Sequence, residues 1–194
     1  MLDSGLRSAA SIGVPRERRN GLEGAADTTG DVINRILGVG DNGPIAALRN
    51  QKPILAKELQ AYYRSLFQPE AASAAALPLA DRYQVAVRVA SHTGSAAVAA
   101  WYATLAGQTG IPNATIARLG DLADLWDEQT ALGAAIRHAD LLTTRPGAAQ
   151  KADLTALTVA GYSPAGILSL AQTIAFVSYQ LRLIAGLRAL GELA

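Results

Sequence analysis

A carboxylate, a guanidinium and an imidazole lie within one short stretch, Asp81, Arg82 and His92, and Thr93 and Tyr102 follow. Groups of these types move protons and hold anions, the equipment of acid–base chemistry. Their spacing works against a shared centre. The helical rise from Arg82 to His92 is roughly 15 Å, so the two meet only if the chain breaks near Gly94 and folds His92 back. Without that, His92 is a hydrogen-bonding residue at the break, a role histidine fills equally well. Arg82 and Arg88 are expected to snorkel or to pair with Asp81 and Glu58.

Other clusters read as structural. Asp121, Asp124, Asp127 and Glu128 are acidic enough for a hard cation. Placed on a helix they spread over more than one face and lack the loop geometry that calcium prefers, so a solvated face is expected and no metal site. His138 and Asp140 sit too close in sequence to converge on a metal from one helix. Trp101, Trp126, Tyr62, Tyr63, Tyr102 and Tyr179 fit either a ligand cavity or the larger gaps of an alanine-rich core. The chain has no cysteine, which excludes disulfides, thiolate metal sites and a cysteine nucleophile.

The elements that position these residues are helices. Half of the residues are apolar and only 5% are aromatic, a mix that favours closely packed helices over sheets. Seventeen basic residues against sixteen acidic provide no basic face for nucleic acid. Residues 1–27 lack periodicity and read as a flexible arm, with Arg16-Glu17-Arg18-Arg19 as a solvated run. They lack a signal peptide's apolar core, so cytoplasmic residence is expected. The rest, 28–194, reads as one domain. Helices are expected over 27–40, from Pro44 to Leu48 and from Pro53 to Phe67. Further helices follow over 79–107, with a break at His92-Thr93-Gly94-Ser95, from Ile111, over 121–144 and over 148–160. Gln68 to Pro78 reads as a loop. Gly161 suits a left-handed stop and Ser163-Pro164 a capped start. The helix after it is apolar on nearly every face, from Ile167 and Leu168 to Leu187 and Leu190. Seventeen residues, Ala165 to Leu181, carry no charge, but Ser169, Gln172, Thr173, Ser178, Tyr179 and Gln180 suit protein better than lipid. A core helix is expected, and no membrane.

The order DVINRILGVG, IAALRNQKP, DRYQVAVRVASHTGSAAVAAWYATLAG, RHADLLTTRP and GYSPAGILSLAQTIAFVSYQLRLIAGLRALG resembles the AhpD-like superfamily. That group comprises alkylhydroperoxidase D and carboxymuconolactone decarboxylase, and the likeness is to a cysteine-lacking branch of CMD domain proteins. It covers roughly residues 28 to 191. It implies an all-α bundle around a helical hairpin that forms homo-oligomers. In the redox members it also implies a Glu, a downstream Cys-x-x-Cys and a His, where a helix N-terminus lowers a thiol pKa and a second thiol resolves the oxidised first. Laid on this chain, that spacing has two registers. One puts Arg82 at the glutamate, Gly94 and Ala97 at the thiols and Trp101 at the histidine. The other uses Asp81, Thr93, Ala96 and Ala100. Neither holds a nucleophile.

The resemblance therefore implies a non-peroxidatic structural or ligand-binding member of an oligomer, without a cofactor, and a second AhpD-like protein as a partner. Its pocket is expected at Thr93, Gly94, Ala97, Trp101 and Tyr102. The alternative is a non-thiol acid–base enzyme of the carboxymuconolactone decarboxylase type, with Asp81, Arg82 and His92 as catalytic candidates.

Overall fold

The computed structural model describes residues 30–40 and 42–192, so the arm expected over 1–27 lies outside the described residues. The helices are α1 (Val32–Leu37), α2 (Pro44–Asn50), α3 (Pro53–Phe67), α4 (Ala71–Ala76), α5 (Leu79–His92), α6 (Ala96–Gln108), α7 (Asn113–Gly120), α8 (Ala131–Thr144), α9 (Lys151–Val159) and α10 (Pro164–Gly191). Among the described residues there is no strand.

The hairpin α5–α6 is the centre, and α10, α8 and α7 pack around α5. Every residue of α5 from Arg82 to Ala90 is buried. That all-round enclosure explains why Val85, Val87 and Val89, which alternate like a strand, sit in a helix: each face has a neighbour to meet. An aromatic cluster fills the space beside it. Phe67 stacks on Tyr83 at 5.2 Å and meets Tyr102 at 5.1 Å, while Tyr62 meets Phe176 edge-on at 5.1 Å.

Helix ends follow local chemistry. The Asp31 carboxylate caps α1 by accepting from the Ile33 and Asn34 N–H groups, and Gly38 ends it at φ 65°. Gly161, at φ 100°, closes the turn before α10, and Ser163 Oγ accepts from the Gly166 N–H. Two expectations are corrected. Residues 121–130 are not helical: the side chains of Asp121 and Asp127 accept from the N–H groups of Ala123 and Gln129, both at 2.9 Å, and these local turns outcompete the helix. Thr130 then caps α8. Conversely, the alanine run of the expected 68–78 loop forms α4, as high helix propensity allows.

α10 is 28 residues long, about 42 Å, and crosses α5, α4, α8, α2 and α3. It has the length and apolarity to span a membrane, and half of its most apolar window is buried in the protein. Two of its buried polar side chains bond within the protein: Thr173 Oγ1 donates to Ser169 O at 2.8 Å and Gln180 Oε1 accepts from Tyr102 OH at 2.7 Å, although Gln180 Nε2 has no partner among the described residues. At Gly166 an added Cβ would lie 2.6 Å from Ala76 O, so only glycine lets α10 approach the end of α4 this closely. The helix is not covered on every face. Leu168 and Leu190 are 60% and 51% exposed, so the helix is largely and not wholly buried, as a core helix with an outer face.

Candidate functional site

The acid–base candidates do not converge. Arg82 is fully buried, and its guanidinium is spent on backbone. Nε donates to Leu77 O at 2.9 Å, Nη1 to Leu66 O at 2.9 Å, and Nη2 to Ser73 O at 2.6 Å and Ser73 Oγ at 2.9 Å. Those carbonyls belong to the last turns of α3 and α4, where a helix has no acceptors' partners of its own and its dipole favours a cation. Arg82 is thus a shared C-cap. Asp81, the adjacent residue, accepts a long 3.4 Å bond from Gln84 Nε2, and burial raises its carboxyl pKa.

The partners expected for the arginines are also corrected. Arg88, 3% exposed, pairs with Asp140 of α8, Nε to Oδ1 at 2.7 Å and Nη2 to Oδ2 at 2.9 Å, and donates to Asp121 O at 2.7 Å. His92 Nε2 lies 2.6 Å from Asp140 Oδ1. Arg88 and His92 are one helical turn apart on α5 and so share one carboxylate. The carboxylate beside His92 is therefore Asp140, not Asp81. Sequence reasoning met Asp140 only as a weak metal partner of His138. The visible signal was two cationic-type side chains four residues apart on one face, without their acid.

A second feature opens at the α5–α6 turn. A cleft of 540 Å³ lies between Thr93, Gly94 and Ser95 on one side and Ser178, Arg182 and Arg188 of α10 on the other. Leu181, Ile184 and Ala185 form its apolar wall, and Thr143 of α8 also lines it. Gly94 turns the chain at φ 68°. Ser95 makes no side-chain cap bond, which leaves the first N–H groups of α6 without that partner. Of the expected pocket, Thr93 and Gly94 line this cleft. Ala97, Trp101 and Tyr102 do not, because α6 turns them elsewhere: Tyr102 is fully buried against Gln180, Ala97 packs on the core, and Trp101 lies under Arg35 at 5.5 Å.

The acidic cluster is dispersed over a loop. Asp124 binds Arg118 at 2.7 Å and Glu128 binds Arg137 at 3.0 Å, while Asp121 and Asp127 hold backbone. His138 is 5% exposed, beside a 200 Å³ cavity between α8 and α9, and its Nδ1 has no partner. Burial lowers its pKa below the ordinary 6.5; Arg137 adds to this and Asp153 opposes it. The unfolded chain then takes up this proton more readily than the native one, so stability falls as pH drops below about 6.5. The His138→Gln variant is expected to lose less stability than the parent between pH 7.5 and pH 5.5. Urea midpoints at the two pH values measure this, and equal losses would rule out a buried neutral His138.

These features define an all-α bundle: a central buried hairpin crossed by a long, largely buried C-terminal helix. The fold is similar to the crystal structure of an uncharacterized peroxidase-related protein from Silicibacter sp. TM1040. The TM-score is 0.64 and the identity 17%, over 80% of this chain and 78% of that one, a likeness of fold. No protein-family model matches the sequence, and no curated protein matches it.

Proposed function

We propose that this chain is a non-peroxidatic AhpD-like protein that binds a small molecule at the α5–α6 turn and works as a subunit of an oligomer. One observation carries the reading. The 540 Å³ cleft holds Gly94 and Thr93, the first thiol position of either family register, while the second (Ala97 or Ala96) lies outside it, and hydroxyl, glycine and arginine residues line it. Its volume is that of small-molecule sites, and its apolar wall with a few polar groups is their usual make-up. The acid–base alternative has less support, because all three guanidinium nitrogens of the buried Arg82 already donate to α3 and α4, and it lies a helix length from His92.

The oligomer is supported by exposed apolar residues on α3 and α10. Leu55, Tyr62, Leu168 and Tyr179 are 58%, 40%, 60% and 49% exposed, the kind of surface that marks an interaction face. A homo-oligomer fits it, as does a second AhpD-like protein, and the cytoplasm is the compartment we assign. Light scattering on the purified chain is expected to show more than one copy, and a monodisperse monomer would count against self-association.

The cleft is tested by filling it. Ala185 is exposed on the wall, so Ala185→Trp should leave folding intact and occupy the space. Fragments found to raise the melting temperature of the parent protein should lose that effect in the variant, by about tenfold in affinity or more. Fragments that bind both proteins alike would place their site elsewhere.

A further inference from the structure

We propose that the ligand of this cleft is an amphipathic organic anion, its charged head held by Arg182 and Arg188 and its apolar body laid along Leu181, Ile184 and Ala185. This rests on the cleft being a binding site and adds the chemistry of what enters it.

The charges point one way. Arg182 and Arg188 both line the cleft, and neither is in an ion pair with any described carboxylate. Among the described residues, Arg182 Nη1 donates to Ser178 O of its own helix, at 3.2 Å. Among the described residues, Glu192 at the exposed end of α10 is the one acid on the lining, against two arginines. Arg35, Arg82, Arg88, Arg118 and Arg137, by contrast, are each committed to a carboxylate, a carbonyl or an aromatic ring. Free guanidinium groups next to an apolar wall suit a carboxylate or a phosphate, which they bind through paired N–H groups.

One further set of donors faces the same space. The uncapped start of α6 adds N–H groups and the positive end of a helix dipole. A cation would meet two arginines here, and a neutral apolar molecule would leave all of these donors unpaired.

The test uses the full chain and four probes of equal tail length: octanoate, octyl phosphate, octan-1-ol and octylammonium, measured by isothermal titration calorimetry. Octanoate or octyl phosphate should bind about tenfold or more tighter than octanol, and octylammonium weakest. The tighter of the two anions identifies the head group. The Arg182→Ala/Arg188→Ala double variant alters only exposed side chains. It should keep the parent melting temperature while losing the anion preference and its salt dependence. Equal binding of octanol and the anions, or an unchanged double variant, overturns the anionic ligand. If Ala185→Trp still blocks that octanol, the binding cleft itself survives. If no probe binds and Ala185→Trp changes no fragment's effect, the cleft falls as well.

Discussion

Replacing Arg82 with methionine is expected to destabilise the protein by about 3–5 kcal/mol, the largest single-residue effect in the molecule. Methionine keeps much of the aliphatic stem, so little packing is lost. What it removes is the fork that satisfies three carbonyl oxygens and a hydroxyl at the ends of α3 and α4. Leu66 and Leu77 are themselves buried, so water cannot easily replace the guanidinium. Burial also lowers the Arg82 pKa, which shows how fully these carbonyls must replace its hydration. Arg82→Lys should be milder but still harmful, because an ammonium cannot reach divergent carbonyls with planar geometry. Urea unfolding followed by far-UV circular dichroism gives the answer. A midpoint for Arg82→Met equal to that of the parent would mean the cap contributes nothing.

Asp140→Ala is expected to cost about 3 kcal/mol, because it leaves the Arg88 charge buried without its counterion. Asp140→Asn should cost less, since the amide oxygen still accepts from one donor. The distinguishing measurement is a double-mutant cycle. Arg88→Met with Asp140→Ala should be more stable than Asp140→Ala alone, because the unpaired buried cation is gone although the Asp121 carbonyl loses its donor. Strict additivity would mean that Arg88 and Asp140 do not depend on one another. Hydrogen exchange should quicken in α5 and α8 together in Asp140→Ala, since this carboxylate ties one to the other.

Both residues show where sequence reasoning stopped. In sequence Arg82 looks like a substrate group or a snorkelling side chain, yet three of its four acceptors are carbonyls, which every residue possesses and no sequence marks. Its partner helices end before α5 begins, and only their packing brings those ends to one guanidinium. Asp140 is 48 residues from His92. Each looked solitary until α8 packed on α5.

Local chemistry was another matter. Pro53 and the leucine spacing predicted α3 with its observed limits, and Gly161 with Ser163-Pro164 predicted the turn into α10. The α5–α6 break was readable from Gly94, because a left-handed residue is a property of the backbone alone. Where local signals compete, the reading failed: in 121–130 the aspartates cap turns, although their neighbours suit a helix. The cleft was half legible. Thr93 and Gly94 are local to the break, whereas Arg182, Arg188 and Thr143 reach it only because α10 and α8 cross there.

By itself, then, the sequence determined that the protein is helical, where most of its rods begin and end, and that no thiol is present. Those properties depend on hydrogen bonds and dihedral angles within a few residues of each other. Tertiary packing alone decided which charge meets which, which side of α10 stays open, and what lines the cleft. These are contacts between segments far apart in the chain, chosen by the shape of the whole core.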